Sequence, residues 1–215
     1  MTTHIKIDFV SDVSCPWCAV GLGSLEQALS RVDGEIEAEL HFQPFELNPD
    51  MPPEGEDTVE RLSHKYGMTP EQVRQNGELI TARGREVGFT FNMDKRTRTY
   101  NTFDAHRLLH WAGLEGHQLA LKHALLKAYF TDGENPSAHD VLVRLCRESG
   151  LNQDRAREIL GSDEYAIDVR ARERFYTQQG ISSVPSIIFN DRHLIQGGQA
   201  PETFERALRQ LADAG

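Results

Sequence analysis

Three cysteines in 215 residues are too few for a secreted disulfide framework, so the placement of each one carries information. No apolar run approaches the roughly 18 residues that a bilayer span requires, which excludes a transmembrane helix. Positive charge is also scarce. Lys and Arg number 23 against 33 Asp and Glu, for a formal charge of −10, so a broad phosphate-neutralising surface is missing and nucleic acid is not an expected partner. Internal repeats and low-complexity tracts are absent as well, and the opening MTTHIKIDF has no basic region followed by an apolar one. The expected location is the cytoplasm. With 39% hydrophobic and 26% charged residues, the composition is that of a globular chain long enough to bury a sizeable core without staples.

What is present begins with periodicity. Ile5, Ile7 and Phe9 alternate with Lys6 and Asp8, as in a strand, whereas Val20, Leu22, Leu25, Ala28, Leu29 and Val32 form one helical face that stops at Asp33-Gly34. Between the two lies DVSCPWCAVG, so Cys15 and Cys18 sit where a strand hands over to a helix. Alternation returns over 35–47, and NPDMPPEGED then breaks the pattern with prolines and acids. The next hundred residues read as successive helices near 58–67, 70–87, 101–112, 116–130, 138–149 and 152–160. Thr69-Pro70-Glu71-Gln72 gives one a capping box, and Ser137 with Asp140 gives another a similar start. A helix over 163–179, a hairpin in SVPSIIFNDRHLIQGG and a final helix over 201–211 close the chain. The expected class is α/β. Residues 1–48 and 163–215 form one domain, and 49–162 an all-helical insertion.

The spacing of Cys15 and Cys18 on a first helical turn places both sulfurs on one side, close enough for a short disulfide. Cys15 lies at the helix start, where free N–H groups and the positive dipole end favour a thiolate, so it is the expected attacking thiol. Cys18, one turn in, should be more buried and resolve the mixed disulfide. Pro16 suits the first helical position, and Trp17 either stands exposed beside the sulfur as an apolar platform or covers the helix start. A structural zinc site is disfavoured because Cys146 is alone in LVRLCRESG, where it reads as a small buried hydrophobe. In SSVPS, Pro185 removes a ladder donor at the start of a strand. Either a trans proline begins the strand, or a cis Val184-Pro185 bond presents backbone groups to an extended substrate.

Taken together, DVSCPWCAVG, NTFDAHRLLHWA, SVPSIIFN and GGQAPETF resemble the DsbA-like branch of the thioredoxin superfamily, most closely its FrnE-like cytoplasmic members, over nearly the whole chain. The resemblance implies a thioredoxin fold, a central mixed sheet flanked by helices, interrupted by the helical domain. It also implies a Cys15/Cys18 dithiol-disulfide centre and a cis Pro185. Related kappa-class glutathione transferases and 2-hydroxychromene-2-carboxylate isomerases carry a serine-type motif at this position. Periplasmic DsbA proteins carry a histidine between the cysteines, where this chain has Pro16-Trp17. With Asp8 and Asp12 nearby, a less depressed Cys15 pKa and a less oxidising couple are expected, which favours disulfide reductase or isomerase work.

His106 and His110 stand i, i+4 on one helix, but the sequence places no further ligand to complete a metal site. His106, with Asn101 and Thr102 as polar neighbours, either faces the dithiol across a cleft, where it would contact substrate, or packs between helices. Lys95-Arg96-Thr97-Arg98, with Arg83 and Arg85, is the one basic patch and a candidate for steering glutathione. No resident cofactor or metal is expected. Glutathione is the candidate cosubstrate, disulfide-bearing proteins or small thiols are the candidate partners, and monomer and homodimer stay open. Two rival readings remain: a glutathione-dependent isomerase or transferase acting on a small aromatic or polyketide-like molecule, and a redox-sensing or chaperone-like binding module.

Overall fold

The computed structural model describes residues 2–52 and 54–214. Met1 and Gly215, at the ends of the expected sheet domain, and Pro53, in the proline-rich break, lie outside the described residues. The elements in chain order are β1 (Thr3–Ser11), α1 (Pro16–Arg31), β2 (Ile36–Pro44), β3 (Glu56–Asp57), α2 (Thr58–Tyr66), α3 (Pro70–Glu86) and β4 (Arg98–Thr99). There follow α4 (Phe103–Leu114), α5 (Gln118–Lys127), a π-helical turn (Ala128–Asp132), α6 (His139–Glu148), α7 (Gln153–Leu160), α8 (Ala166–Gln178), β5 (Ser186–Phe189), β6 (His193–Gln196) and α9 (Pro201–Ala214).

Four strands form a mixed sheet in the order β2-β1-β5-β6, with β1 parallel to β2 and antiparallel to β5. Helices flank this sheet, which is assembled from both ends of the chain, in the α/β arrangement that the resemblance implies. The register decides where the site lies. Val10 pairs with Ser186, so the Val184-Pro185 peptide arrives beside the end of β1, where the cysteine motif begins. Because β1 is central, both of its faces are covered: Ile5, Ile7 and Phe9 enter the main core, and Val10 packs with Tyr176 and Ile181 on the other side. The alternating half-buried strand read from sequence therefore becomes one in which even Asp8 is enclosed, held by Lys6 and Gln43.

The helical block is docked on the sheet. Ile80, Val87, Phe91, Leu126, Tyr129 and Phe130 join the sheet's own core, while Val13, from the turn before Cys15, enters the cluster built on Leu108, Trp111, Leu121, Leu142 and Ile159. Burying one valine of this kind contributes about 2 kcal/mol, so the turn carrying the cysteines is anchored in both layers.

Three details differ from expectation. Glu56–Asp57 and Arg98–Thr99 form a two-residue antiparallel ladder too short to show periodicity. The helix expected over 116–130 ends as a π-turn closed by Gly133 in the left-handed region (φ 75°), where a side chain would also meet the Lys95 backbone. Ser137 does not cap α6. Ala138 holds the N-cap position without a side-chain bond, and the Ser137 amide donates to Asn135 Oδ1 instead.

Candidate active site

Cys15 occupies the N-cap position of α1 with an extended backbone (φ −94°, ψ 113°), and Pro16 fills the first helical turn without losing an internal hydrogen bond. No side chain caps this end, so the first-turn N–H groups and the positive dipole end are left to the Cys15 sulfur. Both motif cysteines are free thiols. Cys15 is 4% exposed and Cys18 0%, in line with the expected order of burial. The Cys15 thiol donates to the Val184 carbonyl at 3.6 Å. That carbonyl belongs to the Val184-Pro185 peptide, which is cis, so the two distant segments meet at the reactive sulfur. Burial, followed by the hydrogen bond and charge of Cys15, pushes the Cys18 thiol well up. Lys122 and the Asp12 backbone pull the other way.

Two close approaches fix this geometry. A Cβ on Gly21 would stand 3.1 Å from Pro185 Cγ, so glycine lets α1 lie this close to the loop without displacing the proline ring. A Cβ on Gly198 would meet the Trp17 ring and carbonyl at 3.1 and 3.2 Å. Trp17 is thus half-buried against the turn after β6 rather than standing free, and the neighbouring Gly197 amide donates to the Pro185 carbonyl at 2.8 Å. The GG pair of GGQAPETF thus ties the Pro185 loop to the turn after β6.

Below the sulfurs lies Asp12, wholly buried. Leu47 N donates to its Oδ2 at 2.7 Å, Ser14 Oγ donates to the same oxygen at 2.9 Å, and His106 Nε2 lies 3.4 Å from Oδ1. Burial pushes this carboxyl up, but His106, Leu47 and Thr102 outweigh it and hold the group at about 2. Asp12 is therefore a carboxylate whose charge is held by hydrogen bonds, and it ties the cysteine turn to the exit of β2 and to α4.

The α4 residues expected near substrate take these places. His106, at 3% exposure, packs with Nε2 toward Asp12. Asn101 closes the start of α4, its Oδ1 accepting from Phe103 N at 2.9 Å and its amide donating to the Pro49 carbonyl. His110 lies against Tyr165, and among the described residues no group of three or more His, Cys, Asp or Glu is placed to hold a metal. The basic patch is largely engaged. Arg96 reaches the Tyr129 hydroxyl, Arg98 the Glu54 and Gly55 carbonyls, and Arg83 pairs with Glu86.

Two residues were not singled out by sequence. Tyr66, at the end of α2 and more than half exposed, lies within electrostatic reach of Cys15, which with burial raises its hydroxyl. Lys122, on α5, is fully buried near the dithiol. Neither carries a local signal, because only the docking of the helical block brings them in.

Comparison with known proteins follows the same lines. Over 211 residues, covering 97% of this chain and 96% of the relative, the chain is 29% identical to the uncharacterized protein YwbO of Bacillus subtilis. A crystal structure of a probable DsbA oxidoreductase of Streptomyces coelicolor superposes with a TM-score of 0.89 at 32% identity, covering 98% of this chain and 91% of that one. The cytosolic disulfide reductase DsbM of Pseudomonas aeruginosa, solved with glutathione, shares the fold at 18% identity and a TM-score of 0.65, covering 97% and 99%. The model of the DSBA-like thioredoxin domain matches residues 6–209, and the chain belongs to that family.

Proposed function

We propose that this protein is a cytosolic thiol-disulfide oxidoreductase that reduces or isomerises disulfides, with Cys15 attacking and Cys18 resolving. The observation that carries the reading is the meeting of the Cys15 thiol, at an uncapped helix start, with the Val184 carbonyl at 3.6 Å, while Cys18 waits one turn deeper. Cys15 thiolate attacks one sulfur of a substrate disulfide, the other sulfur leaves as a thiolate, and a mixed disulfide remains on Cys15. Cys18 then attacks Cys15 Sγ, so the internal disulfide forms and the second substrate thiolate departs. A thiol cosubstrate regenerates the dithiol, and the glutathione recorded with the DsbM relative supports glutathione in that role. The rim formed by Trp17, Val184, Pro185 and Tyr66 would receive the peptide flanking the disulfide, with the edge beside Pro185 offering backbone hydrogen bonds.

Reduction of insulin by glutathione tests the reading. Wild-type protein should accelerate it and Cys15→Ser should leave only the uncatalysed rate. Equal acceleration by both would refute a dithiol centre.

A further inference from the structure

A resolving thiol that is fully buried raises a question of charge. Cys18 must become a thiolate to attack Cys15, and burial opposes any isolated charge at that depth. The core supplies a counterpart. Lys122 is 0% exposed and its Nζ has no hydrogen-bond partner, a rare condition for an amine. Its position is built. One turn earlier, Gln118 clamps α5 to β2, accepting from Phe42 N at 2.8 Å and donating to Phe42 O at 3.1 Å. Lys122 then lies with Nζ 5.6 Å from the centre of the Phe42 ring, whose face suits an ammonium.

We propose that Lys122 carries the compensating charge for the Cys18 thiolate during resolution, which makes it a positioning residue for the dithiol reaction. The inference rests on the dithiol reading above and adds to it the source of charge balance. As Cys18 gives up its proton, one is held at Lys122 Nζ. The Cys18 sulfur attacks Cys15 Sγ, the Cys15–substrate S–S bond breaks with its electron pair on the departing thiolate, and that thiolate takes up the proton as Lys122 returns to the free amine. Two cysteine thiols are oxidised and one substrate disulfide is reduced, with protons and electrons in balance.

Most other titratable groups on the elements packed against α5 have partners of their own. Asp12 remains a carboxylate bound by Leu47 and Ser14, and His106 sits against it. His110, also on α4, stacks with Tyr165, and His41 of β2 pairs with Glu39. On α6, Arg144 is held by Glu134 and Glu148, and only burial acts on Cys146. Glu26 of α1 pairs with His123 at the surface, and Lys127 pairs with Asp132 of the π-turn. Cys15 itself is occupied by substrate at this step. Burial pushes the Lys122 amine down, and Cys18, Asp12 and Cys15 pull it back. Burial opposes a lone charge on either group, so a proton passed between Cys18 and Lys122 keeps the pair in charge balance.

Stopped-flow reaction of the reduced protein with dithiobis-nitrobenzoate separates the two steps, since one coloured thiolate leaves when Cys15 attacks and a second when Cys18 closes the disulfide. Lys122→Met should leave the first phase within about twofold, slow the second about tenfold at neutral pH, the effect of one pK unit, and move its pH midpoint upward. Phe42→Leu, which retains the amine but removes the ring beneath it, should slow the second phase a few-fold, and it carries the test if Lys122→Met does not fold. An unchanged second phase and midpoint in the folded variants would overturn the role of Lys122 while leaving the dithiol intact. Release of a single equivalent by the wild type would overturn the dithiol reading and the inference together.

Discussion

Two thiols in this chain are closed off from solvent, Cys18 in the first turn of α1 and Cys146 within α6, and their surroundings differ in kind. Around Cys146 are Leu142, Leu145, Leu121 and other apolar side chains, and burial acting alone pushes the thiol to about 12. Around Cys18 burial acts in the same direction, but a second thiol, a buried amine and the Asp12 turn also bear on it. Burial by itself makes a thiol inert. Burial with a partner sulfur and a charge in range makes one that is protected at rest and usable when Cys15 is occupied. On the proposed function, the contrast would separate structural from chemical use of cysteine within one chain.

The largest effects should fall on the motif pair. Cys15→Ala is expected to reduce disulfide turnover to background, while Cys146→Ala keeps it within about twofold, both measured in the insulin assay. Loss of turnover in the Cys146 variant, without loss of fold, would erase the contrast. Cys146→Ser should cost about 1–3 kcal/mol in urea unfolding by burying a hydroxyl among leucines, again without a matching loss of rate.

The next prediction concerns the buried charges. The folded pKa of Asp12 is lowered from 3.8 to about 2, so its contribution is present above the unfolded value and is lost as pH falls through the folded one. The shift corresponds to about 2 kcal/mol. Urea unfolding of wild type and Asp12→Asn should differ by that amount at neutral pH, the wild type being more stable, and converge as pH falls toward 2. Lys122 has the opposite consequence at neutral pH. Its folded pKa also lies below the unfolded one, so stability is lost as pH falls from the ordinary lysine range through the folded value. Lys122→Met should therefore gain stability at neutral pH, and the gain should shrink as pH rises toward about 10. A variant that is more stable yet slower to resolve would show that the amine is kept for chemistry rather than for the fold.

The smallest expected effect is at Gly21. Alanine gains up to about 1 kcal/mol of helix propensity there, yet its Cβ pushes on the Pro185 ring. Stability should change little, whereas KM for a peptide disulfide should rise a few-fold as the loop moves from Cys15.

Much of this was legible in the residues. Ile5, Ile7 and Phe9 marked the central strand, the switch to helical spacing after Cys15 placed the sulfurs at a helix start, and Thr69 and Gln72 form the expected capping box. What escaped is non-local. Asp12 looked like a bare charge because the groups that hold it, His106 and Leu47 N, are remote in sequence, Leu47 lying 35 residues away. His106 looked available to substrate because its burial depends on how α4 docks. Lys122 gave no signal, since nothing in QLALKHALLK distinguishes a lysine over a phenylalanine ring from one in water. Local periodicity reports faces and turns, and charge environments require the third dimension.

The most direct test of the central claim is to map the adduct formed when the Cys18→Ser protein meets glutathione disulfide. The account predicts one stable mixed disulfide, located on Cys15 by peptide mass spectrometry, with Cys146 unmodified. An adduct on Cys146 instead, or a Cys15 that forms none, would contradict it.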